Sequence, residues 1–211
     1  MKVYLSPSSQ FDNAYSGITA VEGEVCNEIA IYCEKALKRC GIEVKRGDST
    51  KTTMESRVCE SNNWNADYHI PIHTNAGGGK GTEVYAWPST IDSVVKAVYN
   101  NVANLSPGAD RGIKDGSGLY EVNSTNAVCC YIECEFHDSY GKWIYEHEKD
   151  LGEAIAKGVC EGAGVKYVLE TLATNKNEKM YRVQVGAFKD KKNAENLAKE
   201  LNKAGYDTII K

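Results

Sequence analysis

Nothing in this chain approaches the roughly 18 consecutive apolar residues that a bilayer-spanning helix needs, so no membrane span is expected. The opening MKVYLSPSSQ also lacks the apolar core and cleavage site of a secretory signal, and the expectation is accumulation in the cytoplasm. Among eight cysteines, no pair has the two-residue gap of a zinc knuckle or redox motif. Cys26, Cys33 and Cys40 recur along one expected helix, about 10 Å apart at each step and too far to bridge. Reduced, mostly buried thiols behaving as small hydrophobes follow. A large excess of one charge is missing too: 25 Lys and Arg face 29 Asp and Glu, a net of −4. That balance excludes little by itself, and no nucleic-acid partner is expected.

What is present is ordinary globular material, 42% hydrophobic and 26% charged, which rules out a wholly disordered or low-complexity chain. At 211 residues the chain is generous for one domain and tight for two. A full core followed by something small is the natural division. Charge divides in the same way: residues 1–164 hold twenty-three acidic and fifteen basic side chains (−8), and residues 165–211 hold six and ten (+4).

Residues 2–6 read as a buried strand stopped by Pro7, and a helix follows from about 20 to 40 with Glu22, Cys26, Ile29, Cys33, Leu37 and Cys40 on one stripe. Strands are expected at 42–46, 67–73, 82–87, 118–122 and 127–136, and helices at 52–63, 90–104 and 140–162. This alternation predicts an α/β fold with a mostly parallel twisted sheet flanked by helices. Such sheets carry their sites at the carboxyl ends of strands. Here those ends are the loop after the first strand, His73, and the segment from Glu133 to Asp138. After a linker at 165–178, residues 179–211 read as a small basic β-α-β piece, with Asp190 as helix cap and Gly205 as stop.

The polar residues that need explaining are Glu22, His73, Glu133, Glu135 and His137. A catalytic zinc takes three protein ligands, drawn mostly from His and carboxylate, and works with an unligated Glu that accepts the water's proton. This chain can supply such a set. Spacing alone leaves other readings open: His73 as a hydrogen-bonded core residue, and Glu22 as a complement to the helix dipole.

The order VYLSP, Glu22, ADYHIPIHTNAGGGKGTEVY, DRGIK and GLYEVNSTNAVCCYIECEF resembles the zinc-dependent N-acetylmuramoyl-L-alanine amidases of the Amidase_3 family over residues 1–164. The resemblance implies that Glu22 and His73 are zinc ligands and that Glu133 is the general base. The implied reaction is hydrolysis of the amide joining N-acetylmuramic acid to L-alanine in bacterial peptidoglycan. One departure stands out: the family's Pro-Gly-His-Gly turn is Pro7-Ser8-Ser9-Gln10 here, so the usual first ligand is missing. Gln10 could offer its amide oxygen, or His137 could swing into the vacancy. Zinc's preference for imidazole favours His137, against a loop histidine paired with Asp138.

Gln10, Asn75 and Glu135 are the substrate-side candidates, Asn75 for the peptide stem and Glu135 as a second carboxylate or an orienter of His137. Turn formation explains Asn75 equally well. His69 lies about 13 Å from His73 along the same strand face and is read as structural. Cys134, pointing away from Glu133, is read as packing.

The tail, YRVQVGAFKDKKNAENLAKELNKAGYDTIIK, resembles the first half of a SPOR domain, which implies binding to peptidoglycan glycan strands. So small a unit buries too little to stand alone, and pairing with a second copy in a homodimer is one way to complete it. Taken together, the resemblances imply a cell-wall hydrolase of the phage endolysin or clostridial and bacillar autolysin type, held in the cytoplasm and acting on the wall after lysis or release. The competing readings are a catalytically inactive wall-binding protein and a zinc carboxypeptidase acting on the stem peptide.

Overall fold

The computed structural model describes residues 1–170, 185–203 and 208, and the chain divides into two units, Met1–Glu170 and Thr171–Lys211. In the first, a sheet is built from β1 (Lys2–Pro7), β2 (Glu43–Arg46), β3 (Tyr68–Asn75), β4 (Glu83–Ala86), β5 (Ile113–Asp115), β6 (Val128–Cys129) and β7 (Tyr131–Phe136). Its order is β2-β1-β3-β7-β4-β5, with β6 also beside β3. Every pairing is parallel except β4 against β7.

Period-two alternation gives the sheet two unlike faces. Val3, Leu5, Ile70, Ile72, Ile132 and Cys134 face the main core, packed against α1 (Glu22–Arg39), α3 (Ser93–Ala103) and α6 (Glu148–Gly162). Cys26, Cys33, Cys134 and Cys160 are buried there as free thiols, and burial pushes the Cys134 thiol well above its ordinary range. Tyr4, Ser6, His69 and His73 point the other way, toward α2 (Met54–Trp64) and the short α4 (Tyr120–Ser124), whose Arg57 and Glu121 reach into the polar layer. A sheet with an apolar back and a polar front places the chemistry on the front.

Three elements differ from the sequence expectation. Residues 118–122 are not a strand: the sheet edge is β5, and after the turn in which Gly116 N donates to Ala86 O (2.9 Å) the chain coils into α4. Residues 127–136 break at Cys130 into β6 and β7. Pro71 stands in β3 between the stretches that pair with them, and its missing N–H interrupts the ladder. The helix expected at 140–162 begins earlier and turns at His147, giving α5 (His137–Glu146) and α6.

Helix α1 has no side-chain cap. Its first amides are taken by the loop after β1, where Glu22 N donates to Asn13 O (2.9 Å) and Gly23 N to Gln10 O (3.0 Å). This fixes Gln10 and Asn13 directly above Glu22.

In the second unit the described element is the helix α7 (Lys191–Lys203), where the sequence places one. Residues 181–184 and most of 206–211, which carry much of the two expected flanking strands, lie outside the described residues.

Candidate active site

At the carboxyl ends of β1 and β3, three side chains converge. His73, at the end of the buried run of β3, presents Nδ1 to Glu22 Oε1 at 3.0 Å. Gln10 Nε2 lies 3.3 Å from the same Glu22 oxygen and 3.4 Å from His73 Nδ1. Asn13 Nδ2 holds the pair from behind, donating to Gln10 Oε1 and Glu22 Oε2, both at 2.8 Å. Glu22 is fully buried. Burial alone would raise its carboxyl, but the bond and charge of His73, with Asn13 and Ser8, outweigh it and hold the group below the usual carboxylate range. Burial likewise opposes charge on His73, and the hydrogen bond it donates to Glu22 with the charges of Glu133, Glu22 and Glu121 lifts it above the ordinary imidazole value.

Glu133 stands beside His73, its partner in the β3–β7 ladder, and across from Glu83 on β4. Burial pushes its carboxyl up to about 7, Glu22 and Glu83 add to the shift, and His73 partly offsets it. Its Oε2 is buried with no hydrogen-bond partner in the structure. Tyr131 on the same face stacks on the His73 ring, centroids 4.6 Å apart.

The other expected residues have different company. His137, at the start of α5, turns Nδ1 to the hydroxyl (3.1 Å) and carbonyl (3.3 Å) of Thr74 and stacks on Tyr15. It comes no nearer to Glu22 than 3.9 Å. Among the described residues no three His, Cys, Asp or Glu side chains converge on one point, so the structure does not bring His137 into the gap left by the missing turn histidine. Nor does His137 pair with Asp138, whose Oδ2 accepts from Gly77 N (2.7 Å) and Gly78 N (2.6 Å), two glycines at positive φ. Asn75 donates to Glu83 Oε1 (2.6 Å) and accepts from Ala76 N (2.8 Å). Glu135 is fully buried and takes Gly81 N (2.5 Å), Phe136 N (3.0 Å) and the Ser106 hydroxyl. Asn75 and Glu135 therefore both help to hold loops.

Asn13, Tyr131, Glu83 and Glu121 had no role in the sequence reading. Glu83 gathers Arg111 (2.6 Å), Lys114 and Tyr85 (2.8 Å) beside Glu133; its strand alternation was visible, but its cationic partners lie 28 and 31 residues away. Glu121 was hidden inside an expected strand. His69, read as structural, is fully buried, stacked on Tyr4 and bonded to Glu121.

The model of the Amidase_3 family, N-acetylmuramoyl-L-alanine amidase, matches residues 11–164. The chain belongs to this amidase family. A SPOR domain model matches residues 162–211. The sporulation-specific N-acetylmuramoyl-L-alanine amidase of Bacillus subtilis (strain 168) is 26% identical over 170 residues, 79% of this chain and 65% of that protein. The amidase CwlM of Bacillus licheniformis has the same identity and coverage. The chain thus spans 65% of the length of these two curated relatives. The fold is that of N-acetylmuramoyl-L-alanine amidase AmiC2 of Nostoc punctiforme (TM-score 0.71, 18% identity, 78% of this chain and 97% of that one). It is equally that of the CwlV catalytic domain from Bacillus (Paenibacillus) polymyxa var. colistinus (TM-score 0.71, 21% identity, 78% and 99%). A largely parallel sheet flanked by helices is the frame of these structures, and this chain has it.

Proposed function

We propose that this amidase hydrolyses the bond between N-acetylmuramic acid and L-alanine in bacterial peptidoglycan, using one zinc ion held by Glu22, His73 and Gln10. The observation that carries the proposal is the spacing of those three. Ligands at 2.0–2.2 Å from a tetrahedral zinc stand roughly 3.4 Å from one another, and the three pairs here are 3.0, 3.3 and 3.4 Å apart. Serving as the third donor through Oε1 takes a half-turn of the Gln10 amide, which gives up the bond that oxygen accepts from Asn13. When bound, zinc supplies a Lewis acid for the scissile carbonyl and for the attacking water.

The remaining work belongs to the protein. Glu133 accepts the water's proton on its unpartnered Oε2 and passes it to the departing amine of L-alanine. A carboxyl poised near 7 can do both at neutral pH. Glu83, beside it, holds Arg111 and Lys114 at the rim. The SPOR-matched tail brings the enzyme to wall glycan, and the setting is a wall reached after lysis or release from the cytoplasm.

The test is clearing of purified cell walls with and without a chelator, with mass spectrometry of the products. Chelator-sensitive clearing that frees the L-alanine amine supports the reading. Freed amines within the stem peptide would mean a carboxypeptidase, and no clearing in either arm would mean a wall binder.

A further inference from the structure

His73 uses one ring nitrogen toward Glu22 and Gln10; its other nitrogen, Nε2, is buried without a partner. The atom facing it is Glu121 Oε2, 4.0 Å away and equally without a partner. Two unpartnered buried polar atoms so near each other are rare, because each forgoes hydration and gains nothing in return. Glu121 is not loose. Its other oxygen accepts from the Ser6 hydroxyl (2.5 Å) and lies 3.1 Å from His69 Nε2. Ser6 in turn accepts from Arg57 Nε (2.9 Å), and Arg57 is anchored by donating to Thr52 O (2.9 Å). Arg57, Ser6, His69 and Glu121 are all buried.

We propose that Glu121 is a positioning residue for the metal site: its Oε2 accepts the Nε2 proton of His73 and so keeps Nδ1 free and aimed as a ligand. This rests on the assignment of His73 as a zinc ligand made above. A histidine ligand bound through one nitrogen must hold its proton on the other, and a carboxylate there fixes both tautomer and ring orientation. The gap of 4.0 Å exceeds a hydrogen bond by about 1 Å, which a shift of the Glu121 Oε2 or of the His73 ring would close. Such a role also accounts for two costly features that the hydrolytic residues leave unexplained. A fully buried carboxylate is retained on a five-residue helix, and a buried Arg57 lies behind it. His69 acquires a purpose too: the carboxylate spans the two histidines that are four residues apart on β3, anchored on His69 and directed at His73.

The experiment measures the zinc dissociation constant of the full-length chain by competition with a chromophoric chelator. It compares wild type, Glu121→Ala and the isosteric Glu121→Gln, with the melting temperature of each metal-free protein alongside. Glu121→Ala should weaken zinc roughly tenfold to a hundredfold, and Glu121→Gln should fall between. In the zinc-loaded wild type, the His73 Nε2 proton should appear as a slowly exchanging downfield NMR signal, absent from Glu121→Ala. If Glu121→Ala does not fold, Glu121→Gln carries the comparison. Lowered melting with a zinc constant within twofold of wild type would make Glu121 a purely structural residue and overturn the proposal. A wild type that binds no zinc would instead overturn the metal assignment itself, and this role with it.

Discussion

His73 and Glu133 are ladder partners, side by side on adjacent parallel strands and on the same polar face of the sheet. Two side chains so placed cannot be separated without breaking β3 from β7, so an imidazole and a carboxylate come to hand together as a consequence of strand register. A slip of one residue would turn both into the apolar core.

Replacing Glu133 with Gln should leave the fold intact and reduce wall clearing by about 10²–10⁴-fold. Stability provides a second readout. The Glu133 carboxyl is raised to about 7 in the folded protein, against an ordinary 4.5, so folding favours its protonated form. That stability is present in full below about pH 4.5 and is lost as pH rises toward and through 7. The Gln variant keeps it, and metal-free E133Q should exceed wild type at pH 8 by on the order of 2 kcal/mol in urea unfolding. Equal stability at pH 5 and pH 8 would contradict the burial argument.

Zinc stoichiometry separates the two candidates for the third ligand position. Gln10→Ala should lose tightly held zinc or weaken it by at least tenfold, whereas His137→Ala, whose imidazole is occupied with Thr74, should keep one ion per chain. The opposite result would restore His137 as the ligand.

Glu148 opens α6, and burial with the charge of Glu28 lifts its carboxyl to about 7. The sign matches that of Glu133: the stability is present at acidic pH and lost as pH climbs through 7. Because Glu148 remains partly solvated, screening limits the effect to about 1 kcal/mol or less. Glu148→Gln should therefore raise the melting temperature at pH 8 by a few degrees and leave it unchanged at pH 4.5.

Gly152 packs α6 directly against the backbone of α1. A methyl group there would come within 2.6 Å of the Ile29 carbonyl and 2.8 Å of the Cys33 amide. Helix propensity favours Gly152→Ala by about 1 kcal/mol, yet the backbone contact should win and destabilise the protein by about 1–3 kcal/mol. Thermal unfolding decides the sign.

The front of this site was legible because its residues follow the strand period: His73 and Glu133 end apolar runs, and Glu22 opens an apolar helix stripe. Its supporting parts were not. Four residues from Leu119 to Val122 fit one turn of helix as well as two periods of strand, and the choice was made by Glu121 finding Ser6 and His69, which lie 115 and 52 residues away in sequence. The break at Cys130 was signalled by Pro71, but on the neighbouring strand, where a reading along the chain does not look. The loop contacts of Asn75 and Glu135 were hidden for the same reason, their partners Glu83, Gly81 and Ser106 being brought near only by the folded chain.

The loop that carries Gln10 and Asn13 also supplies the carbonyls that end the backbone of α1. Opening that loop would uncap the helix, and fraying the helix would release the loop. The amide protons of Glu22 and Gly23 are therefore a built-in gauge: their exchange with solvent reports, without any substrate or metal, how much of the time the cluster of Gln10, Asn13, Glu22 and His73 is assembled.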